Sequence, residues 1–261
     1  IGMIGIFASS FYAFKITKSR AASLLTTAIL SFNFFHIIYS FEGRFYTLLY
    51  LFSLIVIAEL FLYFKNNQAK GLIFFSVVMT LFLYTHYYGV ILLFVLSAIV
   101  FVLFLSKTIS RKQFFGYCIA ALICFIFFLP WLPQMLAKKE VSSWMSVPSI
   151  GNFFNYFYLY TGKNHFEFIL LFLPLLLSFK LFNKHKLLFS ILIGCILLGF
   201  LVPFVISNVS TPMLHYRYTF IYFPAVVLLA TIFWHETDLI NVKMKKIGFS
   251  IVVLSIIGNL F

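Results

Sequence analysis

Three short polar clusters interrupt an otherwise apolar chain, and each carries side chains able to bind an anion or handle a proton. The first is Ser40-Phe41-Glu42-Gly43-Arg44-Phe45-Tyr46. A guanidinium fork matches the oxygens of a phosphate. Residues two apart on a helix do not face each other, so Glu42 and Arg44 each need another partner. Were the segment helical, Ser40 would lie one turn from Arg44, and Glu42 one turn from Tyr46. The second cluster is Thr85-His86-Tyr87-Tyr88-Gly89. His86 can donate to a phosphate or sugar oxygen, and Gly89 lets the backbone turn sharply. The same tyrosines also suit an interfacial aromatic belt. The third is His215-Tyr216-Arg217-Tyr218, with Tyr222 one turn below. A second arginine in such a setting favours an anionic ligand. The plain alternative is charges that meet water at an interface.

The remaining polar residues suggest less. Glu59 is expected to face neighbouring helices or to snorkel, and Glu236 and Asp238 to share a loop with Lys243, Lys245 and Lys246. Glu140 follows two lysines and reads as a solvated patch, while Glu167 begins an apolar run. Cys118, Cys124 and Cys195 lie inside apolar runs and read as buried small hydrophobes without zinc spacing. Asn208-Val209-Ser210 fits a glycosylation sequon at a span end. No P-loop, dinucleotide fingerprint, G-x-S-x-G or H-E-x-x-H occurs, and no cofactor is evident. A base for a sugar acceptor is usually a carboxylate, and this chain offers few.

The elements that carry these clusters follow from composition. Of 261 residues, 63% are hydrophobic and only 10% charged, with a mean hydropathy of +1.08. A soluble domain carries about 25% charged residues, so the solvent here is lipid. In lipid the backbone must pair internally, and continuous rather than alternating apolar runs select helices over a barrel. The expected class is all-α: a polytopic transmembrane bundle in one domain over 1–261. About ten spans are expected, near 1–14, 21–39, 45–64, 71–84, 88–105, 114–130, 166–182, 187–206, 217–234 and 247–261. The net charge of +13 comes from lysines and arginines placed between apolar runs. That is a topology signal, not a nucleic-acid stripe. Ile1 is not an initiator Met and Phe261 closes inside an apolar run, so a fragment is expected.

Residues 71–105 as one helix would reach about 52 Å, too long for a span. Splitting the run at Thr85–Gly89 and placing Lys15, Lys18 and Arg20 in the cytoplasm leaves fourteen Lys and Arg inside and five outside. Without the split the count is nine against ten. The positive-inside rule selects the split and puts all three polar clusters, with the 131–165 loop, on the outer face.

The order of these elements resembles the GT-C membrane glycosyltransferases, especially the protein O-mannosyltransferase-like branch known as glycosyltransferase family 39. That branch includes the aminoarabinose transferases that modify lipid A. Its Ser-x-Glu-x-Arg-x-Tyr element is matched by Ser40, Glu42, Arg44 and Tyr46. Its Tyr-Thr-His-Tyr-x-Gly element is matched by Tyr84, Thr85, His86, Tyr87 and Gly89. Pro130 and Trp131 match a Pro-Trp after a further span, and Arg217, Tyr218 and Pro224 match a late Arg-Tyr element. The resemblance covers about residues 1–235. It implies transfer of a sugar from a polyprenyl-phosphate donor to a glycan, lipid or protein acceptor, at the outer face of a bacterial inner membrane. It implies phosphate or substrate binding by Arg44 and Arg217, with Glu42, His86, Tyr46, Tyr87 and Tyr218 around them. The catalytic carboxylate is then expected in a first external loop upstream of residue 1, with Glu42 as the fallback.

Three other classes compete. A transporter or flippase for lipid-linked glycans needs polar groups at mid-membrane depth, where the spans read as Phe, Leu, Ile and Val. An O-antigen polymerase or ligase would carry an external loop rich in Arg and His, but residues 131–165 hold no arginine and one histidine, His165. A non-catalytic membrane subunit is the third. The topology is directly testable. In a background lacking Cys118, Cys124 and Cys195, Thr85→Cys and Ser106→Cys are expected to react with an impermeant thiol reagent from opposite sides. Labelling of both from one side would remove the split.

Overall fold

The computed structural model describes residues 1–137, 145–240 and 242–260. Among these residues there is no strand, and thirteen helices follow one another. They are α1 (Gly2–Thr17), α2 (Arg20–Phe32), α3 (Phe34–Phe41), α4 (Tyr46–Asn66), α5 (Ala69–Thr85), α6 (Tyr88–Leu105) and α7 (Arg111–Phe128). Then come α8 (Leu132–Ala137), α9 (Ile150–Leu159), α10 (His165–Leu177), α11 (Lys186–Val209), α12 (Phe223–Ile240) and α13 (Val242–Leu260). Tight 3-10 turns run over Leu129–Trp131, Ser178–Leu181 and Tyr218–Tyr222.

The helix ends are encoded locally. Ser19, Asn33, Ser149 and Asn164 each accept a backbone N–H at a helix start, and Ser110 with Gln113 forms a full capping box on α7. Lys18 and Asn67 end α1 and α4 in the left-handed conformation. α4 and α12 lie in the interior, whereas α6, α7 and α11 turn much of their surface outward. The exposed residues of α7, such as Phe115, Ile119, Leu122 and Phe127, are apolar, as a lipid-facing surface requires.

Ten spans are not what forms. Among the described residues five helical segments are long and apolar enough to cross a membrane: Tyr46–Asn66, Tyr88–Leu105, Arg111–Ala137, Lys186–Val209 and Tyr218–Glu236. A sixth appears if α2 and α3 count as one span, although they are bent by 61°. The protein is thus a membrane-spanning helical bundle with fewer full spans than its apolar runs suggest. Hydropathy registers an apolar run but not where its helix stops. α5 has 17 residues and α10 has 13, short of the roughly 20 that a span needs. The break inside 71–105 does fall at His86, between α5 and α6. Gly89 has a different use from the sharp turn expected of it. It lies inside α6, and a Cβ there would come within 3.1 Å of the Leu83 and Phe82 backbone, so it lets α6 approach α5 closely.

Two of the buried carboxylates, Glu59 and Glu236, are paired with cations. Glu59 accepts from Tyr12 at 2.8 Å and from Lys15 at 2.9 Å. Glu236 meets Lys184 and, at 3.2 Å, His185. Cys124 and Cys195 are buried, but Cys118 is exposed on α7, contrary to expectation, because that face of the helix has no protein neighbour.

The largest departure concerns Glu167. It is 1% exposed, and its oxygens accept from Asn33 at 2.7 Å and from Asn259 at 2.6 Å. Asn33 also donates to the Tyr160 carbonyl, and Asn259 to the Phe32 carbonyl. Asn164 donates to Asn259 and caps α10. A buried carboxylate stripped of its donors is costly, and so is a buried amide stripped of its acceptor. Glu167→Ala is expected to destabilise the fold by about 2–5 kcal/mol. That would lower the thermal midpoint in detergent by on the order of 5–15 °C, with Glu167→Gln in between. An unchanged midpoint for Glu167→Ala would show that the network contributes no stability.

Candidate functional site

The three clusters read from the sequence meet at one end of the bundle. The turn between α3 and α4 brings Glu42, Arg44 and Phe45. The break between α5 and α6 brings His86 and Tyr87. The segment before α12 brings His215, Tyr216, Arg217 and Tyr218. Tyr218 lies at the centre. Its ring is 5.1 Å from that of His86, 5.4 Å from Tyr88, 5.9 Å from Tyr87, 5.9 Å from His215 and 6.4 Å from Tyr46. Phe45 closes over His86 at 5.1 Å.

The 40–46 segment is not helical throughout. α3 stops at Phe41, and Gly43 adopts φ +64°, a left-handed conformation that a side chain would strain. The one-turn relations of Ser40 to Arg44 and of Glu42 to Tyr46 therefore do not hold. The turn instead sends Glu42 toward Arg217, whose Nη1 is 3.9 Å from the carboxylate. This contact is at the outer limit of an ion pair and both groups are partly exposed. Arg217 also donates from Nε to the Tyr216 hydroxyl at 3.4 Å, with its guanidinium 5.7 Å from that ring's centroid. Arg44 is exposed and has no ion pair among the described residues; it lies two residues after Glu42 in the turn between α3 and α4.

Both histidines are held in the same way. His86 Nδ1 accepts the Tyr88 backbone N–H at 3.2 Å, and His215 Nδ1 accepts that of Arg217 at 3.3 Å. Each imidazole lies against the tyrosine that follows it, Tyr87 at 4.2 Å and Tyr216 at 4.3 Å. An accepting Nδ1 leaves the ring proton on Nε2 as a donor. Burial pushes the His86 pKa down to about 4; burial and then the Arg217 charge do the same for His215. Near neutral pH both rings are uncharged donors beside two permanent cations.

The supports come from deeper residues. Ser207 accepts the backbone N–H groups of Met213 and Leu214, and Tyr88 donates to the Met213 carbonyl at 2.7 Å, which fixes the approach to His215. Tyr160 bonds Thr219 and packs edge-on against Phe35, which in turn touches Tyr39 and Tyr216. Tyr39 and Tyr156, unassigned from the sequence, line the Tyr216 side. Tyr39 could have been flagged as the residue before the Ser40 cluster. Tyr156 gives no sequence signal, since it lies in what reads as a loop.

Other expected members stand apart. Trp131 packs on Tyr84 at 6.0 Å, and Tyr84 donates to the Phe127 carbonyl, with no contact to Tyr218. Glu140 falls outside the described residues. Among the described residues no three His, Cys, Asp or Glu side chains converge as a metal site. No family model matches the chain, and neither a curated protein nor a solved structure matches it.

The histidine state is testable. A folded pKa below the ordinary 6.5 means that the unfolded chain binds more protons between pH 6.5 and about 4. The stabilisation is complete above that window and declines as pH falls through it. Imidazole nitrogen shifts of the detergent-solubilised protein at pH 5.5 are expected to show His86 and His215 neutral with the proton on Nε2. A doubly protonated His86 at that pH would contradict this.

Proposed function

We propose that the chain is a membrane-embedded glycosyltransferase module that binds a polyprenyl-phosphate-linked sugar at the extracytoplasmic end of the bundle. The single observation behind this reading is the meeting of Arg217 and the turn carrying Glu42 and Arg44 at one tyrosine-lined surface with His86 and His215. A phosphate is the ligand best matched to guanidinium forks. Aromatic rings beside it suit a sugar ring and the start of a prenyl chain.

In the proposed reaction the bond between the anomeric carbon and the phosphate oxygen breaks. The electron pair leaves on the phosphate, and the acceptor oxygen bonds to the anomeric carbon. Arg44 and Arg217 stabilise charge gathering on the leaving phosphate, and Nε2–H of His86 and His215 donates to its oxygens or to the sugar. The acceptor hydroxyl must lose a proton to a base. Glu42 is the carboxylate that faces Arg217. We assign it to holding that arginine. The same carboxylate is the fallback for that base.

A lipid-linked-glycan transporter is the second reading, and one observation favours it: the polar network around Glu167 lies among apolar helices. Its amides and carboxylate are already spent on one another and on backbone groups, leaving little for a passing headgroup. The transferase reading is therefore preferred.

Arg44→Lys keeps the charge and loses the fork. It is expected to weaken binding of a short-chain polyprenyl phosphate about 10- to 100-fold, with the thermal midpoint unchanged. Phosphate-free polyprenol should bind wild type and variant equally. Wild-type affinity for the phosphate in Arg44→Lys would remove Arg44 from the site.

A further inference from the structure

At the other end of α6 and α7 lies a second place where an anion is called for. Ser97 and Phe101 of α6, with Phe114, Tyr117, Cys118 and Leu122 of α7, line a lateral groove of about 420 Å³. Its polar floor is the Ser97–Tyr117 hydroxyl pair at 2.9 Å, and the Phe104–Phe114 stack at 4.3 Å holds the two helices together at one end. The rest of the lining is apolar and opens sideways from the bundle.

On α7 the groove positions are spaced by three and four residues, and Arg111 continues the same stripe one turn before Phe114. Lys107 lies in the turn just before it, whereas Lys112, about 100° further round α7, lies on the face away from the groove. The turn carrying them is built rather than loose. Lys107 is in the left-handed conformation at φ 55°, Thr108 N–H bonds the Leu103 carbonyl, and Ser110 and Gln113 form the capping box. Gln113 also donates to the Phe64 carbonyl at 2.7 Å, tying this turn to α4. Lys107, Arg111 and Lys112 are exposed, and no carboxylate among the described residues pairs with them.

We propose that this groove and the cations at its mouth form a binding site for one anionic phospholipid, an acyl chain lying in the groove and the phosphate headgroup meeting Lys107 and Arg111. Basic clusters at the mouths of grooves between membrane helices bind such headgroups. The groove falls within the roughly 300–1,000 Å³ of ligand pockets, enough for part of a lipid, not all of it. α6 has 18 residues, so the basic mouth of this site lies roughly 27 Å along the helix from Tyr88, and Ser97 in the groove roughly 14 Å. It stands independently of the transferase reading.

The test is native mass spectrometry of the intact protein with phosphatidylglycerol or phosphatidylcholine. Wild type is expected to retain one phosphatidylglycerol in preference to phosphatidylcholine. Removing Lys107 or Arg111 should weaken that preference about fivefold each and removing Lys112 little, so K107Q/R111Q/K112Q together should lose about 25-fold. Ala121→Phe, at a further lining position of the groove on α7, should weaken both lipids by filling it, and its thermal midpoint reports whether it folds. K18Q/R20Q removes charge without a groove and should leave the preference intact. Equal retention of the two lipids by wild type, an unchanged preference in the triple variant, or an equal loss in K18Q/R20Q would overturn the site.

Discussion

A helix broken within an apolar bundle has to find partners for the backbone groups that the break frees, because lipid supplies none. Asn33 is where this happens. Its side chain accepts the His36 N–H and donates to the Tyr160 carbonyl and Glu167, while Asn259 covers the freed Phe32 carbonyl. The 61° bend between α2 and α3 is thus made from side-chain hydrogen bonds to α10, α13 and the end of α9. The candidate site depends on this bend. α3 carries Tyr39 and leads into Glu42, and Phe35 on its first turn is the ring against which Tyr160, Tyr216 and Phe220 pack. A straight helix would send the Glu42–Arg44 turn elsewhere.

In the proposed reading, the site above the bend offers a surface for one anion without surplus charge. Three more cations there would repel one another and need their own counter-ions. Two arginines with one carboxylate leave a small net positive charge, and neutral imidazoles add hydrogen-bond donors without adding to it. The Nδ1 contacts to backbone N–H matter for this reason. They hold each ring in the tautomer that presents a donor.

The sequence was most legible where an inference needed only chemistry. Membrane solvent, helical class, the break at His86 and the association of clusters 40–46, 85–89 and 215–218 follow from composition, charge placement and residue type. It was less legible where geometry decides. The length of a helix inside an apolar run depends on caps and neighbours, which is why α5 and α10 fall short of full spans. A single glycine, Gly43, converts an apparent helical spacing into a turn, and pairs Glu42 with Arg217 instead of placing it over Tyr46. Glu167 looked like a carboxylate at a span entrance. Its role became visible only with Asn33 and Asn259, which are 134 and 92 positions away. Asparagines at 33, 164 and 259, inside or beside apolar runs, were the available signal, since an amide in lipid needs a partner as much as a charge does.

The two ends of the bundle use different cations, and the difference has a chemical sense. The chain holds nineteen Lys and Arg against six Asp and Glu, and Glu59 and Glu236 are already taken by Lys15, Lys184 and His185. Most cations must therefore find their anions outside the protein. Only four are arginines, Arg20, Arg44, Arg111 and Arg217. Two of these stand at the tyrosine-lined end, where a guanidinium fork can orient one phosphate. At the opposite end Lys65, Lys70, Lys107 and Lys112 predominate. Ammonium groups are compact, strongly hydrated point charges without directional preference, suited to a surface of many headgroups; of the arginines Arg20 and Arg111, only Arg111 continues the stripe of the proposed groove. A fork suits an anion that must be oriented, a point charge one that is merely attracted.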